Sequence, residues 1–522
     1  MWKLSPFRSL FHLPIRSGLT RGSRGFMNST VLRGENAVHD TKLNTHGRDE
    51  LFRYTSGRWL INEKHQLDQR FVEFSIDMLC SRAAAIFGPK TKCVRVVKIE
   101  GNSNKAFLLT MDDGNEVIAK IPCPNAGAPF LTTASEVATL RFLRSRISIR
   151  VPEVYAWDSD SSNPVGAEYI IMEKICGVAL AEIWESMNSL QRYEIINQIV
   201  KMETEFRSLK LPAYGRLFLR DSLPPEYHHY PLPSDLDPDG LFCIGPSNSP
   251  LLCHNKPTDV SKSIVGPSLI AMERDRIQSL LNRFDTHQSV DEYSDLLQKA
   301  TQVLPYLSKD LEVLKWSDPV IWHNDLHFGN IYISPNDPTI IQGVIDWQSI
   351  EASPLFTQVQ FPEFLRPPKS YCPGTEIPEL PDNFDALDPE EKETAKVEHA
   401  LATQSKYYEM YCLGYNIPAY NAMKLDRRLW EPFVCCELPP TGFLVPLRNS
   451  LIRIFQDWNL LGFSGSYIIK GQLRTDDNGW VPIERWEATN KMNEYLFDTY
   501  MKTMSEETSP EMANKAWPIP NV

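Results

Sequence analysis

The sequence lacks any run of about 18 to 20 consecutive apolar residues, which is the length that a membrane-spanning helix needs. Its ten cysteines include no Cys-x-x-Cys pair, although Cys435 and Cys436 are adjacent. This spacing argues against a zinc ribbon and against a secreted disulfide framework, and favours cysteines that are small buried residues in a reducing compartment. The formal net charge of −12 argues against a general nucleic-acid-binding protein.

The N-terminal segment lacks acidic side chains, since Glu35 is the first of them. It is rich in serine and contains the basic residues Lys3, Arg8, Arg16, Arg21, Arg24 and Arg33. A secretory signal needs a continuous apolar core, which Pro6 and His12 interrupt, whereas this composition is typical of a mitochondrial transit peptide. We expect a transit peptide over residues 1–26, a disordered linker over residues 27–49 and a mitochondrial location, in the matrix. A basic tail without a targeting role is the alternative.

Further along, the apolar residues alternate as they do in β-strands. Three such segments, "CVRVVKIEG", "KAFLLTMDDG" and "NEVIAKIPC", are separated by the turn signals at Gly101–Asn104 and Asp112–Gly114. This pattern predicts an antiparallel meander of three strands. A helix is expected at "TASEVATLRFLRSR", with Thr133 or Ser135 as its cap, and a further strand at "AEYIIMEKICG".

Helical periodicity dominates the rest of the chain. A helix is also predicted ahead of the meander, over Asp68–Gly88, and two Pro-rich segments interrupt the later helices at 210–265 and 354–388. The sequence therefore predicts an α+β fold with a small β-rich N-lobe over residues 50–175 and a large, mainly helical C-lobe over residues 176–522. A cleft between two such lobes is a common place for a ligand.

Ionisable residues are concentrated in the segment "IWHNDLHFGN", which lies between two apolar stretches. One interpretation is a hydrolytic metal site built from His323, Asp325 and His327, which would share one face of a strand. The other is the catalytic loop of a phosphotransferase, with Asp325 orienting the attacking hydroxyl and Asn330 holding magnesium. The residues of this segment alone allow both interpretations.

Phosphoryl transfer needs magnesium held by oxygen ligands and a cation on the phosphates, in addition to the group that orients the hydroxyl. Asp346 stands at the end of the apolar segment "VIDW", where a carboxylate is suited to holding magnesium. Lys120, in "VIAKIP", is expected to meet the α- and β-phosphates, and Glu136 in the following helix to pair with it. The turn Gly101–Lys105 is placed to cover phosphates with its backbone N–H groups.

The order of the segments "VIAK", "SEVATL", "YIIMEK", "HNDLHFGN" and "VIDWQ" resembles that of a kinase-like fold, the aminoglycoside phosphotransferase and choline kinase group. The stretches "LFRYTSGRWLINEKHQLDQRFVEF" and "LDRRLWEPF" are similar to fungal kinase-like proteins named for altered inheritance of mitochondria. The resemblance covers residues 50–500 and implies a phosphotransferase that uses ATP and Mg²⁺ on the hydroxyl of a small-molecule acceptor.

The resemblance also implies a role for individual residues. It makes Asp325 the catalytic base, Asn330 and Asp346 the magnesium ligands, and Lys120 the phosphate-binding cation. It makes His323 a structural support of the loop. In addition, it implies that the backbone of Met172 and Glu173 meets adenine at the hinge between the lobes.

One departure concerns the predicted phosphate turn, "EGNSNKAF", which contains a single glycine. Side chains at the other positions restrict the positive φ angles that such turns use. We expect Gly101, Ser103 and Asn104 to contact the nucleotide, with Ser103 on a phosphate. A nucleotide-binding protein that no longer transfers phosphate is the alternative to an active phosphotransferase.

Overall fold

The computed structural model of the chain describes residues 48–247, 290–436, 440–457 and 481–504, together with Leu269 and Ile277. The predicted transit peptide and nearly all of the predicted linker lie outside these residues. No helix among the described residues is long and apolar enough to cross a membrane.

A five-stranded antiparallel sheet forms the first lobe, with the strand order β1-β2-β3-β5-β4. The strands are β1 Cys93–Glu100, β2 Asn104–Met111, β3 Glu116–Pro122, β4 Val154–Asp158 and β5 Tyr169–Glu173. Burial alternates along β2, so that Phe107 and Leu109 face a core that also contains Val117 and Ala119 of β3. The predicted meander of three strands is therefore confirmed. The strand β4, which completes the sheet edge, was not predicted.

Three short helices precede the sheet: α1 Arg48–Phe52, α2 Glu63–Asp68 and α3 Ile76–Ala85. The prediction of one helix over Asp68–Gly88 is wrong in its first half, because Ser75 is extended and its hydroxyl accepts a hydrogen bond from the Met78 amide (3.3 Å). Phe74, ahead of this cap, packs against Phe107 of the sheet with 5.5 Å between ring centroids. Burial against the sheet thus outweighs the local helical spacing.

The helix α4, Leu131–Arg144, crosses behind the sheet and is buried along most of its length. The predicted cap at Thr133 or Ser135 is wrong, since both residues lie inside the helix. The Glu168 carboxylate serves instead, accepting from the Phe130 amide (2.7 Å) and from the Thr133 hydroxyl (2.6 Å). A carboxylate distant in sequence therefore accepts from one backbone N–H at the start of the helix and from a hydroxyl of its first turn.

The second lobe is mainly helical among its described residues. Its helices are α5 Leu180–Ile183, α6 Ser189–Ser208, α7 Val290–Leu307, α8 Leu311–Lys315, α9 Leu355–Gln358, α10 Pro389–Tyr415, α11 Ile417–Met423, α12 Arg427–Cys435, α13 Pro440–Gln456 and α14 Trp486–Met504. One apolar core joins α6, α10 and α12 to α4 of the first lobe. The predicted α+β fold, with an antiparallel sheet before a helical lobe, is confirmed.

Short strands also occur in the second lobe: β6 Val178–Ala179, β7 Arg216–Leu219, β8 Tyr230–Pro231, β9 Phe242–Gly245, β10 Pro319–Val320, β11 Ile331–Ile333, β12 Ile341–Val344 and β13 Ser353–Pro354. The first Pro-rich segment contains a three-stranded sheet, β7-β9-β8, that the sequence did not predict. The sheet β12-β11-β6 contains the strand that directly follows the segment "IWHNDLHFGN". Its position between the lobes brings the predicted site residues together.

Candidate active site

The β3 strand carries Lys120 to the inner side of the cleft. In the sheet register Lys120 lies between Ala106 of β2 and Ile170 of β5, so a central strand fixes its backbone. Its Nζ is 2.7 Å from Oε1 of Glu136 on α4, and both side chains are buried. The structure thus forms the ion pair that the sequence suggested between these two residues.

Asp346 follows β12 and meets the same ammonium from the second lobe. Its Oδ1 is 2.9 Å from Nζ of Lys120, so one cation lies between two carboxylates. Asp346 adopts a φ of +60°, a conformation that costs a non-glycine residue free energy and persists only where its surroundings hold it. The backbone strain is therefore located at the residue that joins the two lobes.

The charges of this buried group depend on one another. Burial alone would raise the pKa of Asp346, but the Lys120 ammonium outweighs burial and holds that pKa below its usual value. Burial would lower the pKa of Lys120, and the two carboxylates reverse the effect and raise it. A carboxylate at position 346 and an ammonium at position 120 are the forms that a site for magnesium and phosphate requires.

Asn330 lies beside Asp346 in the adjacent strand connection. Its backbone oxygen accepts from the Ile345 amide (2.9 Å), and its side-chain Nδ2 donates to the Asp325 carbonyl oxygen (2.9 Å). Because Nδ2 is used in this way, Oδ1 is the end of the amide that remains to bind a cation. The structure therefore brings an amide oxygen and a carboxylate, both suited to magnesium, to neighbouring positions.

Asp325 lies on the loop before Asn330, and 46% of its side chain is exposed. His327 accepts from the Gly329 amide through Nδ1 (3.0 Å), which leaves Nε2 as the protonated nitrogen. That Nε2 lies 4.0 Å from Oδ2 of Asp325. The sequence placed His327 only in the metal alternative, and the structure shows it as a neighbour of the proposed base.

His323 is turned away from the cleft. Its Nε2 lies 3.0 Å from the Ile345 carbonyl oxygen, its ring contacts Trp347 edge-on, and burial lowers its pKa so that the imidazole is neutral at pH 7. The segment around it is not a strand, so the shared face that the metal alternative assumed does not form. Among the described residues no group of three His, Cys, Asp or Glu side chains is arranged to hold a metal.

The β1–β2 turn contains its one glycine for a steric reason. A Cβ on Gly101 would lie 2.8 Å from Oδ1 and 2.9 Å from the backbone oxygen of Asn104, so a larger residue does not fit. Asn104 Nδ2 donates to Oε1 of Gln348 (3.0 Å), two residues after Asp346. The backbone oxygen of Ser103 accepts from the Cys123 amide (3.0 Å). Gln348, which the sequence analysis missed, thus ties the turn to the second lobe.

Met172 and Glu173 end β5, where the chain leaves the sheet for the second lobe. The Glu173 amide donates to the Glu153 carbonyl oxygen (2.8 Å), and its carboxylate pairs with Arg144 (2.9 Å) and Arg150. The N–H and the carboxylate of Glu173 are therefore already bonded within the protein. A contact between this backbone and adenine stays a prediction.

The chain is similar in sequence to proteins of one enzyme family. The sequence profile described as "Phosphotransferase enzyme family" matches residues 95–356. A subtelomeric hrmA-associated cluster protein of Aspergillus fumigatus is 32% identical over 416 residues, which cover 69% of this chain and 79% of that protein. The "Altered inheritance of mitochondria protein 9, mitochondrial" of Candida tropicalis is 25% identical and covers 66% of each chain. A solved streptomycin–ATP–APH(2")-IIa ternary complex is 13% identical with a TM-score of 0.38, over 73% of this chain and 97% of its own.

Proposed function

The chain belongs to the phosphotransferase enzyme family, and from that premise we propose that it transfers a phosphoryl group from ATP to the hydroxyl of a small molecule, with Mg²⁺. The family predicted from the motif order is confirmed by the same matches. The observation that carries the proposal is the Lys120 ammonium, 2.7 Å from Glu136 and 2.9 Å from Asp346, next to the loop of Asp325. A cation, oxygen ligands and a carboxylate base are the groups that phosphoryl transfer needs.

At the nucleotide end, Lys120 is oriented by Glu136 and donates to the phosphates. Asp346 and Oδ1 of Asn330 would hold magnesium, since both are hard oxygen donors. When bound, magnesium neutralises the charge on the phosphates. The residues present fit this ion, because the one amide nitrogen of Asn330 is already turned to the Asp325 carbonyl oxygen.

At the acceptor end, Asp325 accepts a hydrogen bond from the attacking hydroxyl and orients it toward the phosphorus. The carboxylate is half-exposed, so it is accessible from solvent. General-base assistance of this kind contributes about 10²–10⁴-fold to a rate.

Phosphoryl transfer is tested with the purified full-length chain, ATP labelled in its γ-phosphate and a metabolite extract, with and without Mg²⁺. We expect label on a small molecule with the wild type and Mg²⁺, and none with Asp346→Ala. The identity of the labelled product gives the acceptor. If the wild type binds ATP and labels neither a metabolite nor water, the chain is the inactive nucleotide-binding alternative.

We also propose that the chain acts in mitochondria, in the matrix. The acid-free, Arg-rich leader supports this proposal, and so does the word "mitochondrial" in the names of relatives from Candida tropicalis and Saccharomyces cerevisiae. Residues 1–40 attached to a fluorescent reporter should send it to mitochondria, with cleavage after Arg24. The matched control replaces Arg16 and Arg21 with Gln and should stay in the cytosol. A cytosolic wild-type reporter would end the targeting proposal.

A further inference from the structure

Arg70, between α2 and α3, is a buried arginine that lies against the predicted phosphate turn. Its side chain is almost wholly enclosed, with 7% of the residue exposed. Nε and one terminal nitrogen donate to Oδ1 of Asn102 (3.1 and 2.8 Å). The other terminal nitrogen donates to the backbone and side-chain oxygens of Gln66 (2.9 and 2.8 Å). Four of its hydrogen bonds thus go to neutral oxygens.

Two aromatic rings enclose the same guanidinium. Its Cζ lies 4.5 Å from the ring centroid of Trp59 and 5.8 Å from that of Tyr54. Burial lowers the pKa of Arg70, and among the described residues no Asp or Glu carboxylate offsets that effect. Buried charges in proteins are usually paired with an opposite charge. The Arg70 guanidinium makes four hydrogen bonds, yet no carboxylate in the described part of the chain pairs with it.

The contact with Arg70 fixes which way the Asn102 amide is turned. Arginine has only donors, so the oxygen of Asn102 faces it and the NH₂ group is the end that remains. The backbone of Asn102 is held as well, since its carbonyl oxygen accepts from Nδ2 of Asn125 (3.1 Å). Asn102 stands next to Gly101 and Ser103 and is only partly buried. The turn therefore presents a fixed amide donor with a positive charge behind it.

We propose that Asn102 donates its amide N–H groups to a phosphate oxygen of the bound nucleotide, with Arg70 as the positioning residue that orients this amide. The inference rests on the proposed nucleotide site and adds to it residues that the motifs did not indicate. A glycine-rich turn binds phosphate with backbone N–H groups. Here a side-chain amide and a buried cation replace part of that surface, which accounts for a turn with a single glycine.

The test compares nucleotides that differ in their phosphates. Dissociation constants for ATP, ADP and adenosine are measured by calorimetry, with Mg²⁺, for the wild type, Arg70→Met and Arg70→Lys. The matched control is Arg58→Met, which removes an exposed arginine of the same segment whose partner is Glu63. For Arg70→Met we expect ATP to bind about 10- to 100-fold more weakly, the range of one charge-assisted hydrogen bond. Adenosine should bind as before, Arg70→Lys should recover part of the loss, and the control should match the wild type.

A second variant separates phosphate binding from support of the fold. Asn102→Asp gives Arg70 the carboxylate that it lacks, and it places a negative charge where the phosphate would bind. Without nucleotide its Tm should rise, while its affinity for ATP should fall at least about tenfold. A purely structural role predicts that stability and affinity change in the same direction, so that result would overturn the inference.

The remaining outcomes distinguish the two proposals. If ATP binds the wild type in a manner that depends on Mg²⁺ and Asp346, and both variants keep that affinity, the role of Arg70 and Asn102 is wrong and the nucleotide site stands. Equal weakening of ATP and adenosine in Arg70→Met would also overturn it, because phosphate is not then the group recognised. A wild type that binds no ATP would overturn both proposals.

Discussion

The two ends of the cleft differ in how far their charged side chains are buried and paired within the protein. At the nucleotide end, Lys120, Glu136 and Asp346 form two ion pairs that connect the sheet, α4 and the second lobe. At the acceptor end, 46% of the Asp325 side chain is exposed, and its histidine neighbour stands 4.0 Å away. At the first end the charged side chains are paired within the protein. At the second end the carboxylate is half-exposed to solvent.

We therefore expect stability and activity to change together at the first end and separately at the second. Removing one partner of a buried ion pair lowers the free energy of unfolding strongly, because the remaining charge is not compensated. A half-exposed carboxylate is expected to contribute less to folding, and under the proposed function it would act mainly in the transition state. Substitutions at the two ends should therefore differ in how they change turnover, ATP affinity and thermal stability.

The largest effect is expected for Asp325→Asn. The substitution keeps the shape of the side chain and removes the negative charge that orients the hydroxyl. Turnover should fall by about 10²–10⁴-fold, while the Kd for ATP and the Tm stay near the wild-type values. Steady-state kinetics, calorimetry and thermal unfolding measure the three quantities. A variant that loses ATP affinity or stability to the same extent as turnover would contradict the expected difference between the two ends.

Lys120→Met should instead damage folding and binding together. Without the ammonium, Glu136 and Asp346 face each other as uncompensated carboxylates, at a cost of about 3–5 kcal/mol in the free energy of unfolding. We expect a lower Tm and weaker ATP binding. Glu136→Ala should show the same pattern in milder form, because Asp346 still pairs with the lysine. Denaturant unfolding with Lys299→Met, an exposed control paired with Asp295, checks the assignment. A Lys120→Met protein as stable as the wild type would contradict it.

A smaller effect is expected at Glu203, a buried carboxyl far along α6 to which no residue that the structure describes supplies a cation. Burial raises its pKa to about 8, and the Tyr408 hydroxyl donates a hydrogen bond to it (2.8 Å). Because the folded-state pKa is raised, its contribution to stability is complete below the ordinary value of 4.5 and is lost as pH rises toward 8. The wild type should therefore lose up to about 1.4 kcal/mol per pH unit in that window relative to Glu203→Gln.

Thermal unfolding from pH 5 to pH 8 measures this effect, with the exposed Glu185→Gln as control. Glu203 can be compared with Asp346, which is also a carboxyl whose pKa burial alone would raise. The Lys120 ammonium reverses that direction at Asp346, and no cation does so at Glu203. A pH dependence that is the same in wild type and Glu203→Gln would show that this carboxyl titrates normally.

The sequence predicted the pairing of Lys120 with Glu136, because a regular strand and the helix that follows it bring the two side chains to one point. The roles of Lys120 and Asp346 in nucleotide binding stay predictions. The supporting contacts of Arg70 and Gln348 were missed, since they join segments far apart in sequence. The cap of α4 was wrong for the same reason: a distant glutamate took the place of a local hydroxyl.

The catalytic loop shows a second limit of sequence patterns. The metal alternative assumed that His323 and His327 share a strand face, but the loop is irregular and one imidazole turns to the Ile345 carbonyl oxygen. Periodicity has meaning only inside a regular element. No sequence pattern indicates the acceptor, because the Pro-rich segments contain no regular spacing of residues.

The proposed function requires Asp346 to hold magnesium on the bound nucleotide. Calorimetric titration of ATP tests it most directly, with and without Mg²⁺, in the wild type and in Asp346→Ala. We expect Mg²⁺ to strengthen ATP binding to the wild type and to have little effect on the variant. Tight ATP binding that depends neither on Mg²⁺ nor on Asp346 would contradict the role of Asp346 as a magnesium ligand.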